Sequence, residues 1–214
     1  MLKLPVALEL SAVIVGALSG GAHAVKRGAD IIGIFVLALS TSVGGGMLRD
    51  VLLGAGPPIA LTHPSYLIVV AAAAFVTLLL APWLARVVRH IEGLDALLLG
   101  LWTVIGVERA AAYHMPLAAV MFLGTITATG GGVIRDVLSG EPPAVLLKGE
   151  LLVTAAFLGA AIGAVMGRIS WVPPLLGEAA TIATAAGVRL AAMRWHITSP
   201  TPDDIERWRR SRRG

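Results

Sequence analysis

Two Arg-Asp pairs, Arg49-Asp50 and Arg135-Asp136, close long runs that carry no other charge. Charged groups at membrane depth are expensive and usually mark a pathway or a paired site. Each pair follows three consecutive glycines, Gly44-Gly45-Gly46 and Gly130-Gly131-Gly132, and precedes Val-Leu and a closing glycine, Gly54 or Gly140. The two copies stand at an offset of 86 residues, Gly44 to Gly130, without a gap. Repetition of this kind identifies a duplication. A glycine costs about 1 kcal/mol against Ala inside a helix. Three in a row therefore predict a break, with freed carbonyl oxygens that present partial negative charge to a cation. Ser42, Thr127 and Thr129 would add hydroxyl oxygens to such a path. Asp50 and Asp136 would draw cations towards its two ends, with Arg49 and Arg135 orienting and partly neutralising them. The alternative is that the glycines only allow close helix packing and the Arg-Asp pairs cap helix ends at the interfaces.

Long apolar segments must position these residues. Hydrophobic residues make up 57% of the chain and charged residues 14%, and the mean hydropathy is +0.84. Soluble domains carry about 25% charged residues, so this composition predicts an all-α membrane protein of roughly seven spans. The expected spans are 6–25, 31–48, 66–84, 94–112, 116–134, 151–166 and 172–193. Spans 2 and 5 end in the triple glycines, with Ser40, Thr41 and Ser42 before the first and Thr125, Thr127 and Thr129 before the second. Span 1 carries Glu9 near its start and Gly16-x-x-x-Gly20; span 6 carries Gly159, Gly163 and Gly167; span 7 carries Ala179, Ala183 and Gly187. Such small-residue faces suit close helix contact. Tyr66, Trp83, Trp171 and Trp195 are placed at interfacial depth.

The expected organisation is one membrane domain over 1–196 and a basic tail over 197–214. Repeat one is 6–85, repeat two is 94–167, and span seven is 172–193. Arg86, Arg89, His90, Glu92 and Asp95 form the charged linker between repeats. An odd number of spans per repeat inverts the second copy relative to the first. Lys26, Arg27, Arg86, Arg89, Arg135, Lys148, Arg194 and the tail arginines fall on one side. Lys3, Arg49, Arg109 and Arg168 fall on the other. The positive-inside rule then puts the N-terminus outside and the C-terminus in the cytoplasm.

Several chemistries find no support. The chain has no cysteine, which excludes disulfides and thiolate metal sites. Its five histidines, at 23, 63, 90, 114 and 196, lack ligand spacing, so neither metal nor cofactor is expected. The triple glycine lacks the Lys-Ser/Thr of a phosphate loop. No nucleophile–base arrangement appears, so no enzyme is expected. The net charge of +4 and pI near 10.1 reflect arginines at span ends and in the tail, which suits a lipid surface rather than nucleic acid. Glu108 and Arg109 are expected to neutralise one another, the alternative being a vestibule charge. Lys148, with Arg135, is a candidate holder of an anionic lipid head group.

The duplicated G-G-G-x-x-R-D-V-L, each copy followed by a Pro-Pro turn at Pro57-Pro58 and Pro142-Pro143, resembles the bacterial glycine-transporter-like membrane domain. That family supplies the prokaryotic members of the trimeric intracellular cation (TRIC) channels. The resemblance covers the chain to about Met193. It implies two inverted three-helix repeats plus a seventh helix. It also implies a homotrimer with a pore in each protomer that passes potassium and sodium, lined by the glycine motifs of spans 2 and 5. Animal members bind a phosphoinositide near the second motif; here the tail is short and the basic residues are placed differently. A secondary transporter of a small solute such as glycine is the alternative. Inverted repeats suit both; the lack of an evident buried carboxylate for coupling favours a channel. A lipid-binding or structural protein is the third reading.

Overall fold

The computed structural model describes residues 6–80, 92–149, 151–200 and 204. Among them are eight α-helices and one 3-10 turn: α1 Val6–Lys26, α2 Ile31–Leu53, the short α3 Ile59–Thr62, α4 Pro64–Leu79, α5 Glu92–Ala112, α6 Leu117–Leu138, the turn Ala144–Leu146, α7 Leu152–Met166 and α8 Pro174–Arg194. The chain is an all-helical membrane protein. α2, α6 and α8 are long and apolar enough to cross a membrane, and α4 and α7 are shorter apolar helices. Phe75, Leu79, Phe122 and Leu175 project outward from these helices, as a lipid-facing surface requires. Trp83, Arg86, Arg89 and His90, the side chains of Glu92 and Asp95, and nearly all of the tail lie outside the described residues.

The triple glycines do not interrupt their helices. α2 runs unbroken through Gly44–Gly46 to Leu53, and α6 through Gly130–Gly132 to Leu138. The expected breaks, and span ends at 48 and 134, are corrected accordingly. The magnitudes explain the outcome. Each backbone group left unpaired in lipid costs several kcal/mol, more than the roughly 1 kcal/mol penalty of a glycine. The preceding hydroxyls do not repair a break either. Thr41 Oγ1 donates to the Leu37 carbonyl at 2.7 Å, Ser42 to Ala38 at 2.7 Å, Thr127 to Leu123 at 2.6 Å and Thr129 to Thr125 at 2.9 Å. All are bonds back into the same helix.

The helices stop where the closing glycines stand. Gly54 and Gly140 take the left-handed conformation, φ 61° and 72°, which glycine adopts without a Cβ penalty. Beyond them, Ala55 N–H donates to the Asp50 carbonyl at 3.0 Å and Glu141 N–H to the Asp136 carbonyl at 2.9 Å. At its start α2 is capped by Asp30, which accepts from Gly33 N–H at 2.8 Å, the favoured N-cap geometry.

α2 lies between α1 and α6, α5 packs on α6 and α8, and α4 and α7 pack on α1 and α6 respectively. The small residues of α1 and α7 are consumed inside the protomer. A Cβ on Gly20 would lie 2.4 Å from the Leu37 carbonyl oxygen, and one on Gly163 2.4 Å from Thr181 Oγ1 of α8. The α8 face differs: Ala179, Ala183 and Gly187 are exposed, and nothing lies within 4 Å of a Cβ on Gly187. Tyr66 is buried in the bundle and does not face outward. Its hydroxyl donates to Glu9 of α1, which satisfies two polar groups that would otherwise be stranded in the bundle.

Candidate ion-path centre

α2 and α6 cross at their glycines. A Cβ on Gly45 would lie 2.2 Å from the Thr127 carbonyl oxygen, and one on Gly131 2.4 Å from the Thr41 carbonyl oxygen. Gly44 faces Ile134, and Gly130 faces Leu48, each at 3.0 Å from a side-chain methyl. Under the offset of 86 these pairs exchange: Thr41 corresponds to Thr127 and Leu48 to Ile134. The first two glycines of each motif are therefore contact surface. The third is different. A Cβ on Gly46 would meet only Arg49 Nη2 at 3.7 Å, and one on Gly132 only Arg135 Nη2 at 3.9 Å. Gly46 and Gly132 are the half-buried members of their triplets, and Ser42 and Thr127 are buried while Thr129 is partly exposed.

The Arg-Asp pairs sit in the last turns of α2 and α6. Arg49 donates from Nε at 3.0 Å and Nη2 at 2.9 Å to Asp50 Oδ1; Arg135 donates from Nε at 2.9 Å and Nη2 at 2.7 Å to Asp136 Oδ1. The second oxygen of each carboxylate reaches past the Pro-Pro turn. Asp50 Oδ2 accepts from Ile59 N–H at 3.0 Å, at the start of α3, and Asp136 Oδ2 from Ala144 N–H at 2.9 Å, at the start of the 3-10 turn. The prolines thus fold the chain back so that each aspartate holds the helical turn after it. Both carboxylates are buried, 2% and 4% exposed, and Arg49 is as buried as its partner. Buried charge is sustained only when paired and hydrogen-bonded in this way.

The corner around Asp50 opens into a small cavity of about 30 Å³ lined by Glu9, Gly46, Arg49, Asp50, Tyr66 and Trp102, among others. That is room for a water or two. Arg49 Nη1 is buried there and makes no hydrogen bond among the described residues. Arg109 of α5 closes the corner, with Nε 3.9 Å from Asp50 Oδ1 and its guanidinium 5.3 Å from the Tyr113 ring. This corrects the expected Glu108–Arg109 pair: Arg109 turns to a carboxylate on another helix. Glu108 instead meets Glu178 of α8, so the bundle does hold a half-buried carboxyl pair.

The opposite corner, around Asp136, holds His23 of α1 and Arg27 just after it, with Glu141. His23 Nε2 lies 3.4 Å from Glu141 Oε2, and Arg27 pairs with the same carboxylate. Lys148 pairs with Asp204 at 2.8 Å, while Arg135 is committed to Asp136; the two candidate lipid-binding cations thus have acidic partners of their own. The sequence named Thr41, Arg109 and His23 but not the residues they meet. The duplication could have singled out the first, because Thr41 stands where Thr127 does. The other two need the fold, since each meets a carboxylate on a different helix.

Comparison with known proteins gives a consistent picture. The family model described as "Glycine transporter" matches twice, over residues 6–82 and 92–168. The UPF0126 inner membrane protein YadS of Escherichia coli (strain K12) is 36% identical over 196 residues, 91% of this chain and 94% of its own length. A UPF0126 membrane protein of Vibrio cholerae is 35% identical over 198 residues, 91% of this chain and 81% of its own. A structure solved in a study of conductance through TRIC cation channels superposes with a TM-score of 0.86 at 31% identity, covering 93% of this chain and 97% of that one. The TRIC trimeric intracellular cation channel orthologue from Rhodobacter sphaeroides gives 0.83 at 32% identity, covering 90% and 98%.

Proposed function

This chain belongs to the prokaryotic TRIC channel family, which the glycine transporter model also describes, and from that membership we propose that it is a channel for monovalent cations, potassium and sodium. The carrying observation is a likeness in fold, at 31% identity, that extends over 93% of the chain to a TRIC cation channel. In this reading two inverted three-helix repeats plus a seventh helix enclose one pore per protomer, and three protomers assemble. The exchange of contacts between Gly45–Thr127 and Gly131–Thr41 supports the inverted arrangement. The path runs beside the α2–α6 crossing. Gly46 and Gly132, which no neighbour crowds, face it, as do the hydroxyls of the helix turns before them. Gly44, Gly45, Gly130 and Gly131 hold the two helices close enough to define it. Arg49-Asp50 and Arg135-Asp136 stand at its ends and set the local charge. Such a path needs only weak, successive contacts with the ion. Lys148 and Arg135 offer an anionic lipid head group a landing point where Asp204 and Asp136 release them.

The Lys and Arg distribution supports an N-terminus outside and a C-terminus in the cytoplasm, with the chain in the bacterial inner membrane. The ion pairs agree with it. Arg27–Glu141 puts the end of α1 beside the end of α6, and Arg109–Asp50 puts the end of α5 beside the end of α2.

One observation favours the second reading, a secondary transporter of a small solute such as glycine. The Glu108–Glu178 pair between α5 and α8 is the sort of site a coupling ion uses. The test is potassium flux into liposomes holding the purified protein, with radiolabelled glycine uptake in parallel. Potassium flux with unitary currents in a planar bilayer is expected. Saturable, gradient-driven glycine uptake without unitary currents selects the transporter and overturns the channel.

A further inference from the structure

The corner around Asp136 adds two groups, His23 and Glu141, to a carboxylate that also stands at one end of the proposed ion path. His23 comes from α1, Asp136 from α6 and Glu141 from the loop after it, and one ligand atom of each lies within 4.8 Å of the others. We propose that these three side chains bind a divalent transition-metal cation of the Zn²⁺ class at this mouth of the protein.

The hydrogen bonding leaves the right atoms free. His23 Nε2 is buried and closes no hydrogen bond among the described residues, although Glu141 Oε2 is 3.4 Å away. A separation of that size is close to the edge, roughly 3.3 Å, of a tetrahedron whose metal–ligand bonds are about 2.0–2.1 Å. Arg27 engages Oε1 of Glu141, which leaves Oε2 facing the imidazole. Arg135 takes Asp136 Oδ1 with two N–H groups, while Oδ2 accepts from Ala144 N–H alone among the described residues and keeps a lone pair. Arg27, Arg135 and the Ala144 amide then orient the ligating carboxylates from behind, as outer partners of metal ligands do. The His23 and Glu141 side chains are 22% and 21% exposed, so the cluster lies close to the surface of the protein.

The duplication supplies an internal comparison. At the other mouth the residue equivalent to His23 is Arg109, and the residue equivalent to Glu141 is Ala55. There the chain itself places a cation beside the carboxylate, with Arg109 Nε 3.9 Å from Asp50 Oδ1. Around Asp136 the fixed cation is replaced by an imidazole, and a second carboxylate is added. That exchange converts a filled corner into a ligand set. One His and two carboxylates suit Zn²⁺ and its neighbours better than Mg²⁺, which prefers oxygen ligands and retains its waters. The two guanidiniums lower the affinity below that of a structural zinc site. This inference does not rest on the channel reading.

The test is calorimetric titration of chelator-stripped, tag-free, full-length protein with ZnCl₂, and with MgCl₂ as control. Wild type should bind Zn²⁺, and His23→Gln and Glu141→Gln should each bind at least tenfold more weakly. His23→Arg copies the other mouth, so it should fold with an unaltered melting temperature and lose the same binding. Absence of Zn²⁺ binding by wild type, or equal affinity in wild type and a folded His23→Arg, overturns the proposal.

Discussion

Gly45 and Gly131 each face a backbone carbonyl oxygen across the helix crossing, and a methyl group at either position would stand 2.2 or 2.4 Å from it. Backbone cannot yield as a side-chain tip does, so Gly45→Ala and Gly131→Ala should each force α2 and α6 apart and cost at least the 1–3 kcal/mol or so typical of overpacking. The expected result is a lower melting temperature in detergent and a lower potassium flux together. Gly46→Ala separates the two roles, because its methyl meets only the end of Arg49 at 3.7 Å. It should leave the melting temperature within a degree or two and still reduce flux; an unchanged flux removes Gly46 from the path. The arginines are also unequal. Arg49's side chain is 5% exposed and Arg135's is 20%. Arg49→Ala leaves Asp50 charged and buried, a loss of about 3–5 kcal/mol, whereas cutting back the more exposed Arg135 side chain lets water reach Asp136. Thermal melts should therefore rank Arg49→Ala well below Arg135→Ala, and Asp136→Asn, which keeps the shape, should lower conductance only modestly. Equal melts for the two arginine variants would contradict the burial argument.

At the scale of elements, the sequence marked three small-residue faces without saying what each one touches. The α7 face belongs to α8: Gly163 meets Thr181, and Gly159 meets Ala185. Gly163→Leu should thus unfold the protomer at lower temperature, with no change in particle mass for the fraction that folds. Gly187 on α8 points away from the bundle. Gly187→Leu should leave the protomer's melting temperature unchanged, and a large drop would mean that this face is packed after all. The Pro-Pro turns have a similarly local logic. They return the chain so that Ile59 and Ala144 donate to Asp50 and Asp136, which ties each long helix to the short turn that follows it.

For the whole molecule, charge placement and the odd number of spans per repeat make topology a sharp test. Reporter fusions after Lys26 and after Arg194 should both report cytoplasm, and a periplasmic signal from either contradicts the inverted arrangement. Mass measurement of the particle, corrected for detergent, should give three chains. A stable monomer that still conducts would separate conduction from assembly.

The sequence alone determined the membrane class, the duplication at offset 86, and nearly every helix to within a few residues. These follow from composition, identity between copies and the length of apolar runs, all of which are local. It stopped spans 2 and 5 short, at 48 and 134; the helices run on to Leu53 and Leu138, where Gly54 and Gly140 take the left-handed conformation. Only the tertiary structure decided what the triple glycines do. Propensity favours a break there, but in an apolar bundle the intact backbone ladder outweighs it, and the missing side chains are used to bring two helices into contact. Partner choice was equally out of reach. Arg109 answers to Asp50 and not to Glu108, and His23 to Glu141, because these pairs span different helices and no spacing along the chain encodes which faces will meet.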